Sequence, residues 1–207
     1  MRRLRIIPIV EGHGEDGSLR VLLQRIAHEI LGDVHIEVSR PIRGKRMKLV
    51  QSTELARLLN LAALKLKTAE SIEPTMVLVL LDADEDLPCK LAPELLAIAR
   101  HHRSDADVSC VIANIEYETW LIAGAGTLGE YLDLSKDREL PRDPERLRLG
   151  KAWIQRRFRG SRSYSPNADQ PAMTSRMDLH LARERSPSFD KLCRELEKRL
   201  ANSQSLR

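Results

Sequence analysis

Apolar runs alternate with helically spaced apolar positions along the first part of the chain. Nearly unbroken apolar segments at 4–10, 76–81 and 108–115 predict strands buried on both faces of a sheet. Residues 34–38 alternate apolar and polar side chains and predict a shorter strand. Apolar residues three and four positions apart predict helices after each strand, at 19–30, 55–66, 88–102 and 116–124.

This alternation of strands and helices indicates an α/β fold with a mostly parallel four-stranded sheet. After residue 126 the chain becomes charged and is interrupted by prolines, and residues 164–173 are loop-like. Short helices are predicted near 147–158, 175–184 and 189–200. We therefore expect an α/β core over 1–126 and a helical C-terminal extension over 127–207 that packs on it.

Composition narrows the classes of partner. The net charge of +4 fits an anionic partner, and only two Trp, three Tyr and two Phe argue against base stacking as the main binding mode. The three cysteines form no C-x-x-C pair, which is typical of a reduced, cytoplasmic compartment. The apolar start is interrupted by Pro8 and ends at Glu11, too short for a signal peptide or a membrane span.

Carboxylates follow three of the predicted strands. Because parallel strands end at the same edge of a sheet, we expect these side chains to converge there. Such a concentration of negative charge needs a cation, and carboxylate oxygens select Mg²⁺ or Mn²⁺. The strand-end residues are Glu11, Asp82, Asp84, Glu116 and Glu118, and Glu15 in the first loop can join them.

Two other interpretations of these acidic residues stay open. Strand-end carboxylates can be solvated, and Asp86 can cap the helix that begins at Pro88. The loop after the first strand, EGHGEDGS, also spells G-x-G-x-x-G, a dinucleotide-binding pattern. However, Glu11, Glu15 and Asp16 would repel a pyrophosphate, so we place this alternative behind a metal site.

Two segments carry clustered basic residues. Residues 40–48 read RPIRGKRMK, and residues 146–162 read RLRLGKAWIQRRFRGSR without an acidic residue. Either segment can be a solvated charged face, but cationic segments beside metal-binding carboxylates favour a nucleic acid backbone as ligand. The predicted phosphate contacts are Arg43, Lys45, Arg46, Lys151, Arg156 and Arg157.

The order of these motifs resembles a known pattern. A strand ending in EG, then a strand ending in DxD, then a further carboxylate is similar to the TOPRIM domain of topoisomerases, primases and OLD-family nucleases. The sequence EGHGE resembles the EGxxE form of the OLD nucleases. The segments LLDADEDLPCKLAPELL, IEYETWLIAG, SYSPNADQPAM and SPSFDKL resemble the bacterial family called domain of unknown function 4276.

The resemblance implies roles for individual residues. Glu11 would be the acid/base or metal-bridging glutamate, with Asp82 and Asp84 as catalytic metal ligands and Glu15 as a second ligand. Glu116 or Glu118 would match the carboxylate after the fourth strand. Three further matching residues, Tyr164, Asp169 and Gln170, come without a role. The family also implies a TOPRIM-like sheet in proteins found beside ATPases in bacterial defence loci.

These observations predict a Mg²⁺- or Mn²⁺-dependent nuclease that hydrolyses phosphodiester bonds, with DNA as the expected substrate. The chain contains no G-x-x-x-x-G-K-[ST] motif, so an ATPase would be a separate partner chain. One alternative is a metal-dependent nucleotidyl or glycosyl transferase, in which a DxD motif binds a diphosphate. The other is a TOPRIM-like regulatory or nucleic-acid-sensing subunit without catalysis.

Overall fold

The structure is a computed structural model that describes residues 2–11, 13–32, 34–67, 74–136 and 140–202. The first 124 residues supply every described strand and five helices. A five-residue π-helical turn, Ile26–Ile30, extends the first helix. The elements are β1 (Arg2–Val10), α1 (His13–Arg25), β2 (Val34–Val38), β3 (Ile42–Arg43), α2 (Arg46–Leu49), α3 (Ser52–Lys67), β4 (Thr75–Asp82), α4 (Pro88–His102), β5 (Val108–Ala113) and α5 (Glu118–Ala123).

The later part of the described chain is helical. Three short 3₁₀ turns, Ala125–Thr127, Leu134–Lys136 and Pro144–Arg146, lie in the connection that follows α5. The helices are α6 (Gly150–Arg157), α7 (Pro166–Thr174), α8 (Leu179–Arg185) and α9 (Pro187–Asn202). The prediction of a loop at 164–173 is wrong, because α7 occupies most of that segment and begins at Pro166, where the fixed backbone angle of proline suits the first helical position.

All strand pairs run parallel, in the order β2-β1-β4-β5. This confirms the predicted α/β class with a mostly parallel sheet. The sheet has five strands and not four, because Ile42–Arg43 pairs with Ile9–Val10 beyond the end of β2. Two residues are too short to produce an alternating pattern, which explains why this strand is invisible in the sequence.

The sheet separates two apolar layers. On the first face, strand residues such as Ile6, Leu78 and Val111 pack with α1, α5 and the C-terminal helices in one cluster that reaches from Leu4 to Leu200. On the second face, the alternate strand residues pack with α2, α3 and α4. Residues of the predicted core and of the predicted extension thus share one apolar layer.

The two central strands mark the switch point of the sheet. The chain leaves β1 through α1 on the first face and leaves β4 through α4 on the second face. Val10 is in register with Leu80, so Glu11 and Asp82 follow at neighbouring strand ends. In open parallel sheets this carboxyl edge is where ligands bind.

The loop predicted after β1 is largely helical. Helix α1 begins at His13, so the glycine-rich segment forms the first turns of this helix. A Cβ atom on Gly17 would lie 3.0 Å from Cγ of Pro171, which shows that Gly17 permits close packing of α1 on α7. No helix in the described ranges is long and apolar enough to cross a membrane.

Candidate functional site

The predicted carboxylates fall into two clusters with different basic partners. Glu116 and Glu118 face Lys151 on the first side of the sheet edge, whereas Asp84 and Asp86 face Arg46 on the second side. Within the described ranges, no three His, Cys, Asp or Glu side chains are grouped closely enough to hold one metal ion. The convergence of all strand-end carboxylates on one point, expected from the sequence, is therefore not found among these residues.

Glu118 is the most deeply buried acidic side chain of the site. It opens α5, after the short connection that follows the end of β5 at Ala113, and its side chain is 0% exposed. Its Oε1 atom accepts hydrogen bonds from the Tyr164 hydroxyl and from Nε2 of Gln170, each at 3.0 Å. Its Oε2 atom receives no hydrogen bond from the described residues. A buried carboxylate with one unfilled oxygen is costly and calls for a functional explanation.

Lys151 supplies the positive charge. Its ammonium lies 2.9 Å from Oε2 of Glu116 and 3.7 Å from Oε2 of Glu118. Its backbone N–H also donates to Oε1 of Glu116 at 2.7 Å. The preceding residue must be small, because a Cβ on Gly150 would lie 2.7 Å from the same Oε1 atom. The start of α6 is therefore built around Glu116.

The charges of this cluster shift the ionisation of its members. Burial raises the pKa of Glu118, and the neighbouring charge of Glu116 adds to that rise, although Lys151 opposes it. Burial alone would lower the pKa of Lys151, but the carboxylates of Glu118, Glu116 and Asp82 outweigh it and raise that pKa above its ordinary value. The influence of Asp82 places this strand-end residue within the field of the same ammonium.

Tyr164, Asp169 and Gln170, for which the sequence predicts no role, all form hydrogen bonds in or beside this cluster. Tyr164 and Gln170 are the hydrogen-bond donors to Glu118. Asp169 is buried and forms a bidentate pair with Arg162, at 2.6 and 2.9 Å, while it accepts the backbone N–H of Ser165 at 2.7 Å. Asp169 thus holds Arg162 and Ser165, which lie on either side of Tyr164 and just before the helix that carries Gln170.

Asp84 does not follow the alternation of β4. The strand ends at Asp82, and Asp84 has a φ of 50°, in the left-handed region. Its carboxylate lies 2.7 Å from Nε of Arg46 and is 59% exposed. The left-handed residue breaks the period of two on which the shared direction of Asp82 and Asp84 was predicted. Asp84 pairs with Arg46, whereas Asp82 lies within the field of the Lys151 ammonium.

The remaining predicted ligands lie near the switch point. Glu11 follows β1 and is half-buried, and Asp82 ends β4 and is also half-buried. Glu15 lies on the first turns of α1, but its side chain is outside the described residues. The neighbouring strand ends therefore bring Glu11 and Asp82 to the same part of the sheet edge.

The basic residues divide into exposed and structural ones. Arg43, Lys45 and Arg156 are exposed, as a phosphate contact requires. Arg46 is only 11% exposed and binds Asp84, Asp86 and the carbonyl of Ala83. Its predicted role as a phosphate contact does not fit this placement, because its guanidinium already serves protein acceptors.

Arg157 is also a structural residue. It is 5% exposed, and its guanidinium lies 4.0 Å from the ring centre of Trp153 and donates to the carbonyl of the same residue. Burial removes this side chain from the reach of a phosphate backbone, so the predicted contact does not fit. Arg148 is 81% exposed, lies 3.6 Å from the carboxylate of Glu85, and precedes Lys151, whose backbone N–H is bound to Glu116.

Comparison with known proteins identifies a family but adds no function. No curated protein and no solved structure matches the chain. One family matches, with the description Domain of unknown function (DUF4276), over residues 10–197. This range contains the strand ends, Lys151 and the donors to Glu118. The chain therefore belongs to the DUF4276 family.

Proposed function

We propose that this protein hydrolyses phosphodiester bonds of nucleic acid with the help of Mg²⁺ or Mn²⁺. The observation that carries the proposal is the buried carboxylate of Glu118, which shares one cation with Glu116 beside the carboxyl edge of the sheet. The TOPRIM-like motifs after β1 and β4 support the same chemistry, and we propose a relationship to the OLD-family nucleases on that basis.

The donor set suits such an ion. Mg²⁺ is commonly held by one or two carboxylates and completes its shell with water and substrate phosphates. Glu116 and Glu118 offer that pair, and Asp82 lies within the same electrostatic field. The predicted ligand Glu11 follows the end of β1 at the neighbouring strand end. When bound, the ion would polarise the phosphate and lower the pKa of its water.

The protein side chains would supply the other requirements of the reaction. Glu118, held by Tyr164 and Gln170, has a carboxyl whose pKa burial raises, so in the metal-free site it binds a proton more readily than an exposed glutamate does. Arg148 and Arg156 are exposed on the segment that carries Lys151, where they can bind phosphates on either side of the reacting one.

A second candidate function is supported by a specific contact. Arg46 neutralises Asp84 and Asp86, so part of the predicted metal motif is already satisfied by a protein cation. This favours a nucleic-acid-binding or regulatory subunit that works with a separate ATPase in a bacterial defence system. Such an ATPase would be encoded beside this protein and would coelute with it in size-exclusion chromatography.

A cleavage assay separates the two functions. Labelled single- and double-stranded DNA and RNA are incubated with the protein and Mg²⁺, Mn²⁺ or a chelator, and binding is followed in parallel. We expect metal-dependent cleavage that is lost in Asp82→Asn and Glu118→Gln and kept in Glu94→Gln, which changes an exposed carboxylate on α4. Binding without cleavage under every metal condition would overturn the hydrolase and support the regulatory subunit.

A further inference from the structure

We propose that Lys151 is a removable internal cation, whose ammonium holds the Glu116–Glu118 pair and leaves when a divalent ion binds there. This inference rests on the metal-dependent function proposed above and specifies how the site changes from its metal-free to its metal-bound form. It gives Lys151 two positions, one between the carboxylates and one at the surface. It also makes this lysine a determinant of metal affinity.

The two carboxylates need a cation whenever both are ionised. The side chain of Glu118 is 0% exposed and that of Glu116 is 12% exposed, so water cannot screen their repulsion. Removing the positive partner of a buried carboxylate is strongly destabilising. A protein that meets its metal only intermittently must therefore provide a substitute charge, and Lys151 provides it.

Lys151 satisfies only one of the two carboxylates at hydrogen-bond distance. Its ammonium is within hydrogen-bond distance of Glu116 Oε2, at 2.9 Å, but stands 3.7 Å from Glu118 Oε2. That oxygen is buried and receives no hydrogen bond from the described residues. The other oxygen of Glu118 is occupied by two donors, which fixes the carboxylate in place. A compact divalent ion with short oxygen contacts would satisfy the oxygen that the lysine leaves unfilled.

The side chain of Lys151 can move to solvent while its backbone stays bound to Glu116. The side chain of Lys151 is 51% exposed, so its path to solvent is open. Its backbone N–H remains bound to Glu116 Oε1 at 2.7 Å, and Gly150 permits this close approach. The start of α6 is thereby held on Glu116 independently of the ammonium.

The displaced ammonium would gain a new function at the surface. Arg148 and Arg156 lie on the same segment and are exposed. A released Lys151 adds a third positive charge to this group at the moment when the metal arrives. The net charge of the site then changes only by that of the ion, but the charge of Lys151 moves to the surface, where it can contact a nucleic acid backbone.

Amine labelling of the wild-type protein tests the displacement directly. A short pulse of an acetylating reagent at pH 8.5, with and without saturating Mg²⁺, is followed by peptide mass spectrometry. An ammonium released from its carboxylates loses protection, so we expect Mg²⁺ to increase acetylation of Lys151 about threefold or more. Lys198, an exposed lysine of α9, serves as the internal control and should not change. Unchanged or reduced labelling of Lys151 would overturn the proposal.

Calorimetric titration with Mn²⁺ provides the second test. We expect Lys151→Met to bind Mn²⁺ about tenfold more tightly than wild type because the competing cation is gone, whereas Lys198→Met should bind like wild type. Equal affinity in all three proteins, with unchanged labelling, overturns the displacement and leaves the metal-dependent hydrolase in place. Absence of Mn²⁺ binding in all three overturns both proposals.

Discussion

Replacing Tyr164 with Phe isolates one hydrogen bond at the centre of the site. The change removes the hydroxyl that donates to Glu118 at 3.0 Å but keeps the ring, which packs edge-on against Phe158 with ring centres 5.8 Å apart. Burial and the charge of Glu118 raise the pKa of Tyr164, so its hydroxyl stays protonated and acts as the donor. The variant therefore tests the contact without opening a cavity.

The expected loss in the free energy of unfolding depends on whether Glu118 is ionised. Hydrogen bonds to charged groups contribute about 1.5–3 kcal/mol, and because Gln170 still donates to the same oxygen we expect a loss of about 2 kcal/mol at pH 8. For a domain of this size, that loss lowers Tm by about 4–8 °C. When Glu118 is protonated the bond joins neutral groups, and the loss falls to about 1 kcal/mol.

The stability cost of Tyr164→Phe depends on pH through the ionisation of Glu118. Burial raises the pKa of Glu118 in the folded protein, and removal of a donor to its charged form raises this pKa further. The cost of Tyr164→Phe is therefore smaller at pH 5 and larger at pH 8. Urea unfolding at both pH values, followed by the fluorescence of the buried Trp120 and Trp153, measures this cost.

The matched control is Tyr131→Phe, which removes a hydroxyl without a hydrogen bond among the described residues. It should change the free energy of unfolding by no more than about 0.5 kcal/mol. An equal loss in the two variants, or a greater loss for Tyr164→Phe at pH 5 than at pH 8, would refute the assignment of Tyr164 as a donor to ionised Glu118.

Three further changes have defined outcomes. The contribution of Glu118 to stability decreases as pH rises through its raised pKa, so the Tm of Glu118→Gln relative to wild type should increase from pH 5 to pH 8. Burial alone would raise the pKa of Glu195. Its basic and hydroxyl partners outweigh burial and lower this pKa from 4.5 to about 2. After allowance for residual solvent contact, we expect Glu195→Gln to lower the free energy of unfolding by about 2 kcal/mol at neutral pH, measured by urea unfolding. This loss should vanish as pH falls from 4.5 to about 2, because the wild-type carboxylate is then protonated. A Cβ on Gly124 would lie 2.6 Å from the carbonyl oxygen of Asp178, so Gly124→Ala should cost about 1–3 kcal/mol in thermal unfolding, whereas Gly129→Ala, with open space around it, should not.

The strands could be predicted because burial on both faces leaves a continuous apolar signal. The predicted strand at 76–81 corresponds to β4, Thr75–Asp82, and the predicted helix at 88–102 corresponds to α4 within the same bounds. The short strand Ile42–Arg43 and the helix α7 could not be predicted in this way. The first is held by its pairing with β1, and the second packs against α1 despite an internal proline, so both depend on tertiary contacts.

The site was predictable only as far as strand ends determine it. Glu116 and Glu118 follow from the position after β5, but their pairing with Lys151 joins segments far apart in sequence. The separation of Asp84 from Asp82 results from a single left-handed residue, which no hydrophobic pattern reports. Tyr164 and Gln170 could be found from the resemblance to a family, but a role for them required the hydrogen bonds to Glu118.

The apolar layer that reaches from Leu4 to Leu200 has a consequence for synthesis on the ribosome. Helix α9 covers the first face through Phe189, Leu192 and Leu196, so the apolar strand residues beneath it stay uncovered until these last residues emerge. Contacts between such distant segments form slowly, and an uncovered sheet face is prone to aggregation. A recombinant fragment that stops at residue 126 would keep these strand residues exposed permanently. We therefore expect it to aggregate more during expression than a chain that includes α9.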